Sequence, residues 1–127
     1  MIRNNIKMNK KTLVLGASLK DTRYSNYAIH KLVANKIETV AFGLKQGSVA
    51  GVNIDVELVN YKDINTVTLY LNPKRQESYY NYIIALKPER VIFNPGTENP
   101  EFYKLLKQNN IAFEVACTLV LLSTNQY

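Results

Sequence analysis

Short runs of nearly uninterrupted apolar residues, separated by segments of helical period, constrain this chain more than any other feature. Thr12–Leu15 reads TLVL and runs into Gly16-Ala17-Ser18. A strand that is apolar on both faces requires a sheet covered on both sides, as parallel sheets are. After a polar stretch, Ser25 or Asn26 is placed to cap a helix. Ala28, Ile29, Leu32 and Val33 then form one apolar stripe that stops near Asn35-Lys36. Glu38–Phe42 is a second strand closed by Gly43, and the looser stretch from Leu44 to Asp63 holds one short strand of period two at Ile54–Leu58.

The pattern then repeats. Thr66–Leu71 is a strong strand broken by Asn72-Pro73, which supplies a helix cap followed by proline at the first helical position. Tyr79, Tyr80, Ile83 and Ile84 make the stripe of the helix that follows. Val91–Phe93 ends in Asn94-Pro95-Gly96, and Asn99-Pro100-Glu101 again gives cap, proline and acidic first turn. Asn109-Asn110 suits a left-handed helix end, Ala112–Ala116 is the last strand, and Thr118–Leu122 is a short element of unassigned type. Such alternation predicts a doubly wound α/β domain: a mostly parallel sheet in three α/β/α layers. With strand order 3-2-1-4-5-6, the reversal lies between the first and fourth strands, and ligands bind there, outside the carboxyl ends.

The 127 residues suit one domain, and 46% hydrophobic with 20% charged residues is ordinary for a folded globule. Residues 1–10 are expected to form a flexible basic tail, and residues 11–127 the single domain. No apolar run follows the early charges, as a signal peptide would require, and no run spans a membrane. A cytoplasmic location is expected. One cysteine, Cys117, and one histidine, His30, leave no structural zinc site. The net charge of +6 admits an anionic ligand or nucleic acid, although Arg3, Lys7, Lys10 and Lys11 all sit at the amino end.

Gly16-Ala17-Ser18 leads from a strand toward a helix, where free backbone N–H groups favour an anion. Gly16 would let the backbone approach a phosphate, Ser18 adds a hydroxyl, and Lys20, Arg23 and Lys45 belong to the same rim. The G-x-G-x-x-G fingerprint is absent. A carboxylate for ribose hydroxyls is missing after the second strand, which reads Gly43-Leu44-Lys45. The triphosphate-binding pattern G-x-x-x-x-G-K-[ST] is also missing. His30 is expected on the exposed side of its helix and Cys117 as a small packed side chain. Asp21 and Glu98 are expected as loop carboxylates, and most of the tyrosines as packing groups.

Leu15-Gly16-Ala17-Ser18, then Arg23-Tyr24-Ser25-Asn26, Gly51, Asn94-Pro95-Gly96 with Glu98-Asn99, and Ala116-Cys117 make an ordered set. That set resembles the small coenzyme A-binding proteins, stand-alone relatives of the CoA-binding domain of succinyl-CoA synthetase. The likeness runs over about residues 11–122. It implies a Rossmann-like fold in which Gly16, Ala17 and Ser18 hold phosphate, and Lys45 lies along the adenosine phosphates. Leu71, Asn72 and Pro73 would line the pantetheine arm. Arg23, Asn26 and Gly96 complete the expected site. Many relatives carry two prolines where Asn72-Pro73 stands, and a proline is also missing from Gly43-Leu44-Lys45. The synthetase's catalytic histidine lies in a segment this chain lacks. The expectation is therefore non-catalytic binding of coenzyme A or an acyl-CoA at the carboxyl ends of strands 1, 2 and 4, with no metal and no membrane partner. A homodimer is compatible with it. The rivals are an NAD(P)-binding redox sensor or oxidoreductase domain, and a basic nucleic-acid-binding module.

Overall fold

Seven strands form one sheet in the order β3-β4-β2-β1-β5-β6-β7 in the computed structural model, which describes residues 10–127. The strands are β1 (Thr12–Ala17), β2 (Thr39–Gly43), β3 (Gly47–Val49), β4 (Val52–Asp55), β5 (Thr66–Leu69), β6 (Arg90–Phe93) and β7 (Ala112–Val115). All neighbours pair in parallel except β3 and β4. Without β3, the order is the doubly wound one expected, with its reversal between β1 and β5. The expected basic tail falls outside the described residues except for Lys10, whose Nζ donates to the Tyr127 carbonyl at 2.6 Å.

β3 escapes the sequence pattern because it is only GSV and is created by its turn. Val49 pairs with Val52, leaving Ala50-Gly51 as a two-residue loop with φ of 50° and 81°. Two positive φ values define the type I′ turn that matches strand twist. The hairpin also sets β4 at Val52–Asp55 instead of Ile54–Leu58. Val56 and Leu58, which suggested the later strand by their alternation, are exposed on the following loop.

The helices are α1 (Tyr24–Ala34), α2 (Pro73–Gln76), α3 (Tyr80–Leu86), α4 (Pro100–Gln108) and α5 (Thr118–Ser123). Both Asn-Pro starts form as expected. Asn72 Oδ1 accepts the Arg75 N–H at 2.9 Å, and Asn99 Oδ1 accepts that of Phe102 at 3.3 Å. Asn110 takes the left-handed conformation, φ 58°, after α4. The single helix expected after Pro73 is divided by a 3-10 turn at Glu77–Tyr79. The start of α1 also differs: Arg23 is its N-cap and supplies no side-chain cap, while Ser25 and Asn26 lie buried in the first turn.

β1 feeds both layers by alternation. Leu13 and Leu15 join Val67, Leu69 and Phe93 beneath Ile83, Phe102 and Leu106. Val14 faces the other way, packing with Ala41, Ile29, Leu32 and Leu122. Each side chain so buried contributes about 1.5–3 kcal/mol. Aromatic pairs complete the first layer: Tyr80 stacks on Phe102 at 4.4 Å and Tyr103 on Phe113 at 4.5 Å.

The β4–β5 crossover has no helix. Tyr61 pins it by donating to the Asp55 carboxylate, and Tyr82 by donating to the Val59 carbonyl at 2.5 Å. Burial, with the Asp55 charge, pushes the Tyr82 phenol up to about 12. The unfolded phenol loses its proton near its ordinary value of about 10. The stabilisation is therefore intact below that pH and is lost as pH rises toward about 12. Urea midpoints measured from neutral to strongly alkaline pH should fall through this window, and more gently in Tyr82→Phe. An identical slope in the variant removes Tyr82 as a cause. In the hairpin, Ala50→Asn installs the residue preferred at the first position of a type I′ turn. It should raise stability by about 0.5–1 kcal/mol, read from the same midpoints.

Candidate functional site

A cleft of about 620 Å³ opens where β1, β2 and β5 end, at the reversal of strand order. It is lined from one side by Gly16, Ala17, Ser18, Arg23 and Lys45, and from the other by Leu71, Asn72 and Gly96. Asn26 and Pro73, the remaining two of the expected set, do not line it. Asn26 lies behind the first loop, where its Nδ2 donates to the Ser18 carbonyl at 2.9 Å. Pro73 is the first residue of α2, and from that helix it is Arg75 that reaches the cleft.

Gly16 and Ala17 belong to β1, which continues past the expected Leu15. The pairing with β2 skips a residue between Leu15 and Ala17, and Gly16 takes φ 99° there. A Cβ on Gly16 would lie 2.9 Å from both the carbonyl carbon and the oxygen of Tyr70. The neighbouring strand, rather than a phosphate, is thus what first demands this glycine. Gly43 is equally confined, since a Cβ there would come within 2.3 Å of the Ala17 carbonyl oxygen. Beyond this bulge, Ser18 Oγ accepts the Lys20 N–H at 3.1 Å.

The Asn26 N–H in the first turn of α1 is met by the Arg23 carbonyl at 3.0 Å, but without a side-chain cap the Tyr24 and Ser25 N–H groups lack an internal acceptor. Ser25 lines the cleft beside them and is only 4% exposed. Sequence reasoning assigned Ser25 to capping, and only the earlier helix start turns it toward the cleft. The cleft's charged residues are Lys20, Arg23, Lys45 and Arg75, and none of its lining residues is acidic. Arg75 carried no sequence signal of its own; it reaches the cleft because Asn72 caps a tight turn. Tyr79 forms part of the floor, edge-on to Phe42 at 5.6 Å.

The other chemical candidates lie elsewhere. His30 is exposed on α1, and Cys117 is half-buried as the N-cap of α5. Neither lines the cleft, and nor does the exposed Asp21. Glu98 Oε1 accepts the Gly96 N–H at 2.8 Å and so braces one lip of the cleft. Among the described residues, no group of three His, Cys, Asp or Glu side chains is placed to hold a metal. No helix there is long and apolar enough to cross a membrane.

A mostly parallel sheet with helices on both faces and a cation-lined cleft at its reversal define a Rossmann-like architecture. Within that class, residues 10–123 match the CoA binding domain family, and the chain belongs to it. The crystal structure of an uncharacterized protein is 46% identical, with a TM-score of 0.91 over 94% of this chain and 98% of its own. A hypothetical protein from Pyrococcus horikoshii OT3 is 25% identical, with a TM-score of 0.79 over 94% and 85% of the two chains. A Thermus thermophilus protein at 22% identity shares the fold, with a TM-score of 0.83 over 99% and 96%. No curated protein matches the chain.

Gly43→Ala tests the crowding at the strand ends. The added methyl has backbone, not a flexible side chain, in its way, so stability should fall by about 1–3 kcal/mol in thermal or urea unfolding. An unchanged midpoint would show that β1 and β2 can separate at little cost.

Proposed function

We propose that the cleft binds coenzyme A or an acyl-CoA and that the protein acts as a binding module, without catalysing a reaction on it. The observation that carries this reading is the lining charge: four cations and no carboxylate around a cleft at the sheet's reversal. Coenzyme A brings a diphosphate and a 3′-phosphate, which such a lining complements. The first loop and the uncapped start of α1, with Ser25, would take the diphosphate. Lys45, after β2, would take the 3′-phosphate. The arm would run past Leu71 and Asn72 toward Gly96. NAD fits less well, because the residues after β2 offer a lysine where its ribose hydroxyls favour a carboxylate. Nucleic acid fits less well too, because these cations line a concave cleft instead of tracking a groove along the surface.

The test is thermal unfolding with added ligand. Coenzyme A at about a hundredfold excess over its dissociation constant should stabilise by about 2.7 kcal/mol, and NAD by markedly less. Equal shifts with both would sink the assignment. Lys45→Ala removes one exposed charge partner and should weaken binding about fivefold, in a salt-dependent way. Ser25→Ala removes a buried donor to an anion and should weaken it about tenfold. Gly16→Val is a poor probe, because its clash with Tyr70 would disturb the fold itself. His30→Ala and Cys117→Ser should leave affinity unchanged. A loss in either, with the fold intact, would place the site elsewhere.

A further inference from the structure

Of the buried carboxamides that brace one wall of the cleft, Gln76 is the one that ties its two lining loops directly together. Gln76 closes α2 with no exposed surface. Its Nε2 donates to the Leu71 and Thr97 carbonyls, each at 2.8 Å, and its Oε1 accepts from Asn99 Nδ2 at 2.9 Å. Both N–H groups and the oxygen are engaged, so the carboxamide is fully satisfied. Leu71 and Thr97 line the cleft from different loops, one after β5 and one after β6. The ladder between those strands has already ended, at Leu69 and Phe93. Past that point no backbone hydrogen bond joins the two loops, and Gln76 bridges them.

A buried carboxamide costs its desolvation, offset here by its three hydrogen bonds; an apolar side chain of similar volume would leave the Leu71 and Thr97 carbonyls and one Asn99 N–H unpaired. What the apolar replacement lacks is a fixed distance between two loops. We propose that Gln76 is a positioning residue. It sets the separation of Leu71 from Thr97, so that this wall fits the pantetheine half of the ligand. The inference rests on the reading of the cleft as a coenzyme A site.

The experiment compares two ligands by calorimetry: coenzyme A, and adenosine 3′,5′-bisphosphate, which lacks the pantetheine arm. Gln76→Met removes all three hydrogen bonds at nearly constant volume. It should weaken coenzyme A about tenfold, the loss expected when a buried hydrogen-bonded support is removed. Binding of the bisphosphate, which lies against the other wall, should stay within about twofold. Equal weakening of both ligands would mark Gln76 as purely structural, and undiminished coenzyme A affinity would show that the strut is not needed. Either outcome overturns the proposal. Wild-type protein that binds neither ligand overturns the coenzyme A reading and this inference with it, a result read before any variant is made. If Gln76→Met does not fold, hydrogen exchange in the wild-type protein decides. The Gln76 side-chain amide protons should exchange more slowly with coenzyme A than with the bisphosphate, and equal rates overturn the proposal.

Discussion

At the carboxyl end of β1 the backbone lies closer to both neighbours than side chains would permit. On one flank Gly16 sits against the backbone of Tyr70, and on the other Gly43 sits against the Ala17 carbonyl oxygen. The Tyr70 N–H donates to the Leu15 carbonyl at 2.9 Å, which binds the same junction to β5. From this contact the rest of the site follows. The bulge at Gly16 ends the regular β1–β2 ladder and turns the chain toward Ser18. Asn26 then reaches back from α1 to the Ser18 carbonyl, so the helix start is held against the strand ends. Side-chain volume at either glycine would push the strands apart before any ligand arrived.

Charge and geometry divide the work of the cleft. Lys20, Arg23, Lys45 and Arg75 are exposed, so each is screened by salt and contributes at most about 1 kcal/mol to holding an anion. On the proposed reading they would gather the ligand without fixing its pose. The pose depends on neutral groups. Asn94 donates to Thr68 Oγ1 at 2.7 Å and to the Leu69 carbonyl at 2.8 Å, and its Oδ1 accepts the Thr118 N–H at 2.8 Å. Gln76 and Asn99 extend this support to the next loop. Neutral amides fix the loop backbones without adding negative charge near the cations, which buried carboxylates would do.

What the sequence made legible is local. TLVL announces a two-faced strand, and Asn-Pro announces a helix start, because both properties depend on adjacent residues alone. Hence the sheet order and both capped helices were readable, and so were eight of the cleft's lining residues. The misses depend on partners distant in sequence. Asn26 reads as a cap until Ser18 claims its side chain. Val56 and Leu58 alternate like a strand, yet the hairpin at Ala50-Gly51 pins β4 earlier. Gly16 reads as a phosphate glycine, whereas its stricter requirement comes from Tyr70, far along the chain. Nothing in the string NPKRQ separates Arg75, facing the cleft, from Gln76, buried behind it. That distinction is set by where Leu71 and Thr97 lie.

Tyr70 shows what the junction costs. Its backbone is fixed between Gly16 and the β5 ladder, and its ring packs in the second core layer, beside Val14 and Ile29. The phenol oxygen ends up buried with no hydrogen-bond partner. It lies beside Thr68 and Thr118, whose hydroxyls are committed to each other at 2.8 Å. Burial accordingly pushes this phenol well above its ordinary range. An orphaned hydroxyl of this kind costs about 1–3 kcal/mol. Thr68 Oγ1 also receives the Asn94 amide, so the threonine pair belongs to the Asn94 support. The conflict is resolved in favour of the backbone: the strand ends and the Asn94 bonds keep their geometry, and a single phenol at the edge of the network goes without a partner.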